Sequence, residues 1–142
     1  MTRFAGGPAQ SPGFLLWHAT LRWQREMTAT LAPLGLTHVQ FVLLACAWWL
    51  ESHEGAANQA GVAAQAGTDP KMTSDVVARL EAKGLVRREA SPDDARAKVV
   101  RVTEAGAELA RQAIEAVEAT DASFFAGVDT GVLAALARYG ER

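Results

Sequence analysis

The spacing of apolar residues predicts that the chain begins in a helix with two apolar faces. Residues 13–31 have helical periodicity, and Pro33 and Gly35 would end the helix. One face is formed by Phe14, Trp17 and Leu21, and the other by Trp23, Met27 and Leu31. Because both faces need cover, we expect this helix to contact more than one neighbour.

Capping residues and apolar periodicity predict three further helices. The segment Thr37 to Gln40 has the capping-box pattern and begins a helix that runs through Leu50. Thr103 caps a long alanine-rich helix to about Phe125, and a last helix covers Gly131 to Tyr139. At about 1.5 Å per residue the long helix spans roughly 30 Å, which is too long to cover one small domain. We therefore expect it to pack against a further element or a second chain.

Between these helices the chain has the pattern of two short helices followed by a hairpin. Asn58 can cap a helix that ends at Gly67, and Asp69-Pro70 opens another that runs to about Lys83. The strand-like runs Leu85-Val86 and Val99 to Val102 then flank the turn-forming segment Ser91 to Asp94. Helix, turn, helix and hairpin together predict a winged helix-turn-helix, which is a DNA-binding arrangement.

The distribution of charge is compatible with DNA binding although the whole chain is acidic. The net charge is −2 and the isoelectric point is about 5.9. From Lys71 to Arg101 there are eight basic and five acidic residues, or +3, so the other residues carry six and eleven, or −5. A basic segment on an acidic body can bind phosphates selectively, but an ordinary solvated surface explains the same charges equally well.

Helical spacing divides the second helix of the motif into two faces. The face expected to pack on the preceding helices carries Met72, Thr73, Val76, Val77 and Leu80. The residues expected to bind DNA are Lys71, Ser74, Asp75 and Arg79 on this helix, and Arg96 and Lys98 near the hairpin tip. Lys71 and Arg79 suit phosphates, whereas Ser74 suits a base edge or a phosphate. Asp75 would repel phosphates, although a carboxylate can accept from the amino group of cytosine.

Three segments in register resemble the multiple-antibiotic-resistance regulator (MarR) family. Residues 79–88, 91–98 and 102–106 follow the end of the family's recognition helix, its Asp-x-Arg wing and its Thr-x-x-Gly helix start. The resemblance extends more weakly over residues 13–138. It implies that Arg96 enters the minor groove and that Asp94 holds its guanidinium. At position 75 the family usually has a basic or amide residue.

The resemblance also implies partners. It implies a homodimer in which the first helix and the last two helices of each chain interlock, presenting two recognition helices to double-stranded DNA. Family members bind small aromatic or phenolic ligands in a cleft between these helices and the DNA-binding lobe. Trp17, His18 and Trp48 are our candidates to line such a cleft, and ordinary core packing is the alternative for the tryptophans.

Length and composition predict one mostly α-helical domain with a small β-hairpin wing. The 142 residues would comprise a flexible tail, 1–12, and a single domain, 13–142. The winged helix-turn-helix would occupy about 37–103, and the dimerisation helices about 13–31 and 104–139. No apolar run reaches the roughly 18 residues of a membrane span, and a single cysteine argues against a disulfide framework. We therefore expect a cytoplasmic protein without membrane association.

Motifs for chemistry are not found in the sequence. It has no phosphate-binding glycine loop, no nucleophile elbow and no zinc-protease motif, so we expect no enzyme, no cofactor and no metal. Cys46 lies among Leu43, Leu44 and Trp48, which favours a buried thiol over a redox switch. We predict a transcriptional regulator, a homodimeric repressor of a pseudo-palindromic operator. The alternative is a winged-helix protein that acts through protein contacts, which Asp75 favours.

Overall fold

The computed structural model describes residues 3, 5–94 and 96–139, with only the backbone of Tyr139. The described elements in chain order are α1 (Pro12–Leu31), α2 (His38–Glu54), β1 (Ala57–Asn58), α3 (Gln59–Ala66), α4 (Pro70–Ala82), β2 (Val86–Ala90), β3 (Lys98–Val102), α5 (Glu104–Phe124) and α6 (Gly131–Tyr139). Short 3-10 turns cover Pro8–Gln10 and Ala32–Leu34. The predicted helices and both wing strands are confirmed, while the division into a tail and a domain stays a prediction.

The helices begin where the sequence places capping side chains. Thr37 and Gln40 form the predicted capping box, each side chain accepting from the other residue's backbone N–H at 3.2 Å. The caps of α3, α4 and α5 are made by Asn58, Asp69 and Thr103. These contacts satisfy backbone N–H groups that the helix itself leaves without partners, so each start is determined within a few residues of chain.

The wing is part of a three-stranded antiparallel sheet in the order β1-β3-β2. The hairpin register pairs Val86 with Val102 and Ala90 with Lys98. On the other edge Ala57 pairs with Val100, a contact that the sequence did not predict because β1 has only two residues. Two residues are too few to show the alternation by which strands are recognised. The pairing joins the start of α3 to the wing.

The core lies where α1, α2, α4 and α5 meet. Its fully buried side chains include Met27, Leu31, Leu43, Leu44 and Leu80. Thr73, Val76 and Val77 are buried as predicted. The expectation for Met72 was wrong, since this side chain is 45% exposed. Met72 lies at the border of the buried face of α4, next to the buried Thr73.

The two predicted apolar faces of α1 differ in the single chain. Met27 and Leu31 are buried, whereas Phe14 and Trp17 are 42% and 61% exposed. Among the described helices, none alone is long and apolar enough to cross a membrane. Only the segments Pro12–Leu34 and His38–Glu54, bent by 73° from each other, reach that length and hydropathy together.

Candidate nucleic-acid interface

Helices α3 and α4 form the helix-turn-helix, and the turn between them is held by local contacts. Gly67 ends α3 in the left-handed conformation, with φ of 75°. The hydroxyl of Thr73 donates to the carbonyl of Asp69 at 2.8 Å and lies 2.7 Å from the hydroxyl of Thr68. Because Thr73 is fully buried, these contacts fix the start of α4 against the core. The opposite face of α4 is therefore directed to solvent.

That outer face carries most of the predicted recognition-helix residues. Lys71, Asp75 and Arg79 are exposed, and Ser74 is half-buried. The exposed Met72 lies beside them. A helix in a major groove contacts base edges mainly through its first turns. Lys71, Met72 and Asp75 are the predicted or exposed residues that lie in these first turns, whereas Arg79 lies further along α4.

The wing tip is closed by backbone hydrogen bonds and by Asp94. The backbone N–H of Ser91 donates to the carbonyl of Ala97 at 3.0 Å. The carboxylate of Asp94 accepts from the backbone N–H of Arg96 at 2.9 Å. The expected bond to the Arg96 guanidinium is not among the contacts of the described residues. A short turn brings the N–H two residues ahead to the carboxylate, so Asp94 shapes the chain that carries Arg96.

The basic side chains of this region divide into paired and unpaired groups. Arg87 pairs with Glu89 at 3.3 Å, and Arg101 lies 3.6 Å from Glu89 and 3.9 Å from Glu51. Within the described residues, no ion pair involves the four cations predicted to bind DNA, Lys71, Arg79, Arg96 and Lys98. Those four can contact phosphates without first breaking a salt bridge of the described residues.

A cleft of about 340 Å³ joins the helix-turn-helix to the wing. Gln59 and Thr73 line its helical side, and Arg96 and Lys98 line its wing side. The fold thus brings predicted residues from both halves of the motif to one continuous surface.

Arg88 is a residue that the sequence reasoning left unassigned. Its backbone N–H donates to a carboxylate oxygen of Glu81 at 2.9 Å, and its guanidinium lies 3.4 Å from the other oxygen. The same guanidinium is 3.5 Å from both the Ser74 hydroxyl and the Gln59 side-chain oxygen. The backbone hydrogen bond from Arg88 is the main cause that lowers the pKa of Glu81 below its ordinary value. Arg88 therefore links β2 to α3 and α4. In the sequence, only the alternation of side chains along β2 could have indicated that Arg88 faces these helices.

Comparison with known proteins decides the family. Residues 36–98 match the family model described as MarR family. The chain is 43% identical over 120 residues to the uncharacterised HTH-type transcriptional regulator YdcH of Bacillus subtilis, covering 84% of this chain and 82% of that protein. The chain belongs to the MarR family of transcriptional regulators. This confirms the family, the winged-helix fold and the class of function predicted from the sequence.

Two other similar proteins are a repressor and a ligand-bound regulator. This MarR-family chain is 33% identical over 114 residues to an HTH-type transcriptional repressor of Mycobacterium tuberculosis, covering 80% of this chain and 79% of that one. It is also similar to CouR of Rhodococcus jostii, whose crystal structure contains p-coumaroyl-CoA. That match has a TM-score of 0.76 at 29% identity and covers 92% and 89% of the two chains.

In the part of this MarR-family chain that the structure describes, the three predicted ligand residues do not line a common cavity. Trp17 and His18 lie on the exposed first half of α1, where the His18 ring meets Phe14 at 4.4 Å. Trp48 packs partly buried against the core. Four cavities among residues 5–94 and 96–139 contain none of these three side chains in their linings.

A different cavity lies at the junction of α1, α2 and the end of α3. Its volume is about 410 Å³, and it is lined by Gln24, Thr28, His38, Val39, Val42, Ala66 and Thr68. Burial lowers the pKa of His38, and the negative charge of Asp121 partly opposes that shift. The sequence does not reveal this cavity, because its lining comes from three separate helices.

Proposed function

We propose that this MarR-family regulator represses transcription as a homodimer bound to a pseudo-palindromic site in double-stranded DNA. The observation that carries the proposal is the set of four cations, on α4 and the wing, that make no internal ion pair within the described residues. Phosphate neutralisation supplies much of the affinity of such proteins. In this proposal α4 enters the major groove and Arg96 enters the adjacent minor groove.

The other predicted residues have distinct roles in this proposal. Lys71, Arg79 and Lys98 contact phosphates and set the position of the protein on the duplex. Asp94 shapes the wing through the backbone N–H of Arg96. Ser74, which lies 3.5 Å from Arg88, holds α4 against β2 and has less freedom to contact a base than its sequence position suggested.

A second copy of the chain accounts for the apolar surface left open at the two chain ends. The exposed apolar side chains of α1 and of the segment that includes α6 are Phe14, Leu15, Leu16, Trp17, Val128, Val132, Leu133 and Leu136. Between these elements an apolar cleft of about 270 Å³ is lined mainly by apolar residues, including Leu16, Trp23 and Phe124. Apolar patches of this extent mark protein interfaces. In the proposed dimer they are covered by the same elements of the twin chain.

The experiment that tests this function measures DNA binding directly. DNA duplexes from the region next to the gene that encodes this protein are titrated with the protein at several salt concentrations. The oligomeric state is measured by sedimentation. We expect a dimer that prefers one site, with log Kd depending linearly on log salt. Arg111 is the matched control cation, because it lies on α5 and already pairs with Glu108 at 2.8 Å. The Arg111→Ala variant should bind DNA like the parent protein. If the parent protein itself is a folded monomer without affinity for DNA, the proposal is contradicted.

The exposed Asp75 favours a different function, in which the protein acts through protein contacts. This exposed carboxylate stands on the face of α4 that would meet the phosphates. A winged-helix protein that acts through protein contacts would tolerate it. That alternative predicts a dimer without preference for any DNA sequence. The same titration therefore distinguishes it from the repressor.

We also propose that a small aromatic or phenolic ligand releases the repressor from DNA. CouR, a structure of similar fold, is bound to p-coumaroyl-CoA, which contains such a group. In a dimer, Trp17 and His18 of exposed α1 are available to form a cleft, and Trp48 lies on α2. Aromatic acids are therefore titrated by tryptophan fluorescence with and without operator DNA. Linkage requires that DNA weakens ligand binding by the same factor by which the ligand weakens DNA binding.

We also propose that this regulator acts in the cytoplasm, where it would meet the DNA that it binds. The sequence has one cysteine, Cys46, and burial raises the pKa of its thiol. A thiol of raised pKa is less often the reactive thiolate, so we assign it a packing role.

A further inference from the structure

We infer that Met72 and Asp75 form a pair that reads pyrimidines, selecting a thymine and a cytosine at neighbouring positions of each half-site. The inference rests on the proposed function and names the sequence class that the dimer selects. It starts from the exposure of Met72, an apolar side chain on the DNA-facing side of α4.

Position on the helix places the two side chains side by side. Met72 and Asp75 are three residues apart, so they are neighbours on one face of α4. Their separation along the helix axis is about 4.5 Å at 1.5 Å per residue, close to the roughly 3.4 Å between base pairs. Arg79 continues the same row one turn later. The first two members of the row can thus address adjacent base pairs.

The chemistry of each side chain fits one group on a pyrimidine edge. An apolar side chain in the major groove packs against the methyl group of thymine. A carboxylate can only accept hydrogen bonds when ionised, and the amino group of cytosine is a donor in that groove. The Asp75 carboxylate makes no side-chain hydrogen bond or ion pair among the described residues. Its acceptor oxygens are therefore available to a base.

The carboxylate also discriminates by repulsion. Opposite thymine or guanine, Asp75 would face carbonyl oxygens or a ring nitrogen, which are acceptors like itself. An unpaired charge against the wrong partner is an effective source of specificity. Non-specific attraction is supplied elsewhere, by Lys71, Arg79, Arg96 and Lys98. Asp75 therefore lowers affinity for most sequences more than it lowers affinity for the preferred one.

The first test is selection of binding sites from a random duplex library by the full-length dimer. We expect a half-site with a thymine and a cytosine at neighbouring positions. Asp75→Asn should change the selected cytosine to adenine, because asparagine pairs with the adenine edge. It should also tighten non-specific binding at low salt, since a negative charge is removed.

The second test isolates the methyl contact of Met72. Replacing the selected thymine by deoxyuridine removes only its methyl group. The parent protein should bind that duplex roughly fourfold more weakly, which is the value of one buried methylene-sized group. Met72→Ser should bind the two duplexes equally. Lys71→Gln is the matched control, because losing a phosphate contact weakens both duplexes by the same factor.

The outcomes separate this inference from the proposed function. If selection recovers no sequence at all, both are overturned. If it recovers a site without the adjacent thymine and cytosine, the inference about pyrimidines is wrong but the proposed function stands. The same holds if deoxyuridine weakens binding equally for the parent and for Met72→Ser. Because Met72 and Asp75 are exposed, unchanged melting temperatures of the variants are expected and show that folding does not cause the effects.

Discussion

Gly106 lies where α5 begins against the base of the wing, and Gly106→Ala should destabilise the protein. A Cβ atom at this position would lie 2.0 Å from the carbonyl oxygen of Leu85 and 2.9 Å from its carbon. It would also lie 3.0 Å from a methyl group of Val102. Attractive contacts between carbon atoms need about 3.5–4.0 Å. The backbone of Leu85 cannot move aside like a flexible side chain, so α5 has to shift.

The shift would break hydrogen bonds that hold α5 to the wing. The backbone N–H of Thr103 donates to the same Leu85 oxygen at 3.0 Å, and its hydroxyl donates to the carbonyl of Gly84 at 2.7 Å. Overpacking costs about 1–3 kcal/mol, and each hydrogen bond contributes about 1 kcal/mol. Alanine regains about 1 kcal/mol through its helix propensity. We therefore expect a net loss of about 2–4 kcal/mol in the free energy of unfolding.

Urea denaturation at one fixed protein concentration measures this loss. Fixed concentration matters because the stability of a dimer depends on it. Ala105→Gly is the matched control: Ala105 is exposed in the same turn, so it reports helix propensity alone, at a cost of about 1 kcal/mol. Gly106→Ala should lose more than this control and should also weaken DNA binding, because Leu85 immediately precedes β2. A Gly106→Ala variant as stable as the parent would contradict the conclusion that the approach of α5 to Leu85 excludes a side chain at this position.

Three further predictions concern the wing, acid stability and the junction cavity. Arg96→Ala should weaken operator binding by about 1–3 kcal/mol and reduce its salt dependence, with Asp94→Ala losing less; equal binding by both variants and the parent in a salt titration would contradict the role of the wing. Because the pKa of Glu81 is lowered in the folded state, its contribution to stability is present above pH 4.5, the ordinary pKa of a glutamate. This contribution is lost as the pH falls through the pKa of the folded state. Urea midpoints measured from pH 6 downwards should therefore fall less for Glu81→Gln than for the parent. The pKa of His38 is also lowered, so its contribution is present above 6.5 and is lost as the pH falls below that value. His38→Gln should remove that part of the pH dependence, and an unchanged profile would show that burial of His38 does not resist protonation.

The fold could be predicted from the sequence because its signals are local. Thr37, Asn58, Asp69 and Thr103 cap their helices through contacts with backbone atoms three residues away. Between Val86–Ala90 and Lys98–Val102, the side chains of Ser91 and Asp94 likewise accept from backbone N–H groups two residues away. Such contacts form wherever the chain adopts these elements, so they do not depend on the rest of the molecule.

Tertiary packing decides which side chains of α4 and β2 are exposed and which are paired. Met72 lies about 100° from Thr73 around the helix, so either could border the core, and contacts with the other helices bury Thr73 and expose Met72. Arg87 and Arg88 are adjacent arginines, yet the phase of β2 sends Arg88 to Glu81 on α4 and Arg87 to Glu89. A carboxylate seven residues away becomes a partner only after the chain has turned back on itself. Local signals in the chain define the helices, the strands and the basic segment, whereas the packing of α4 and the register of the wing define which of these side chains are exposed.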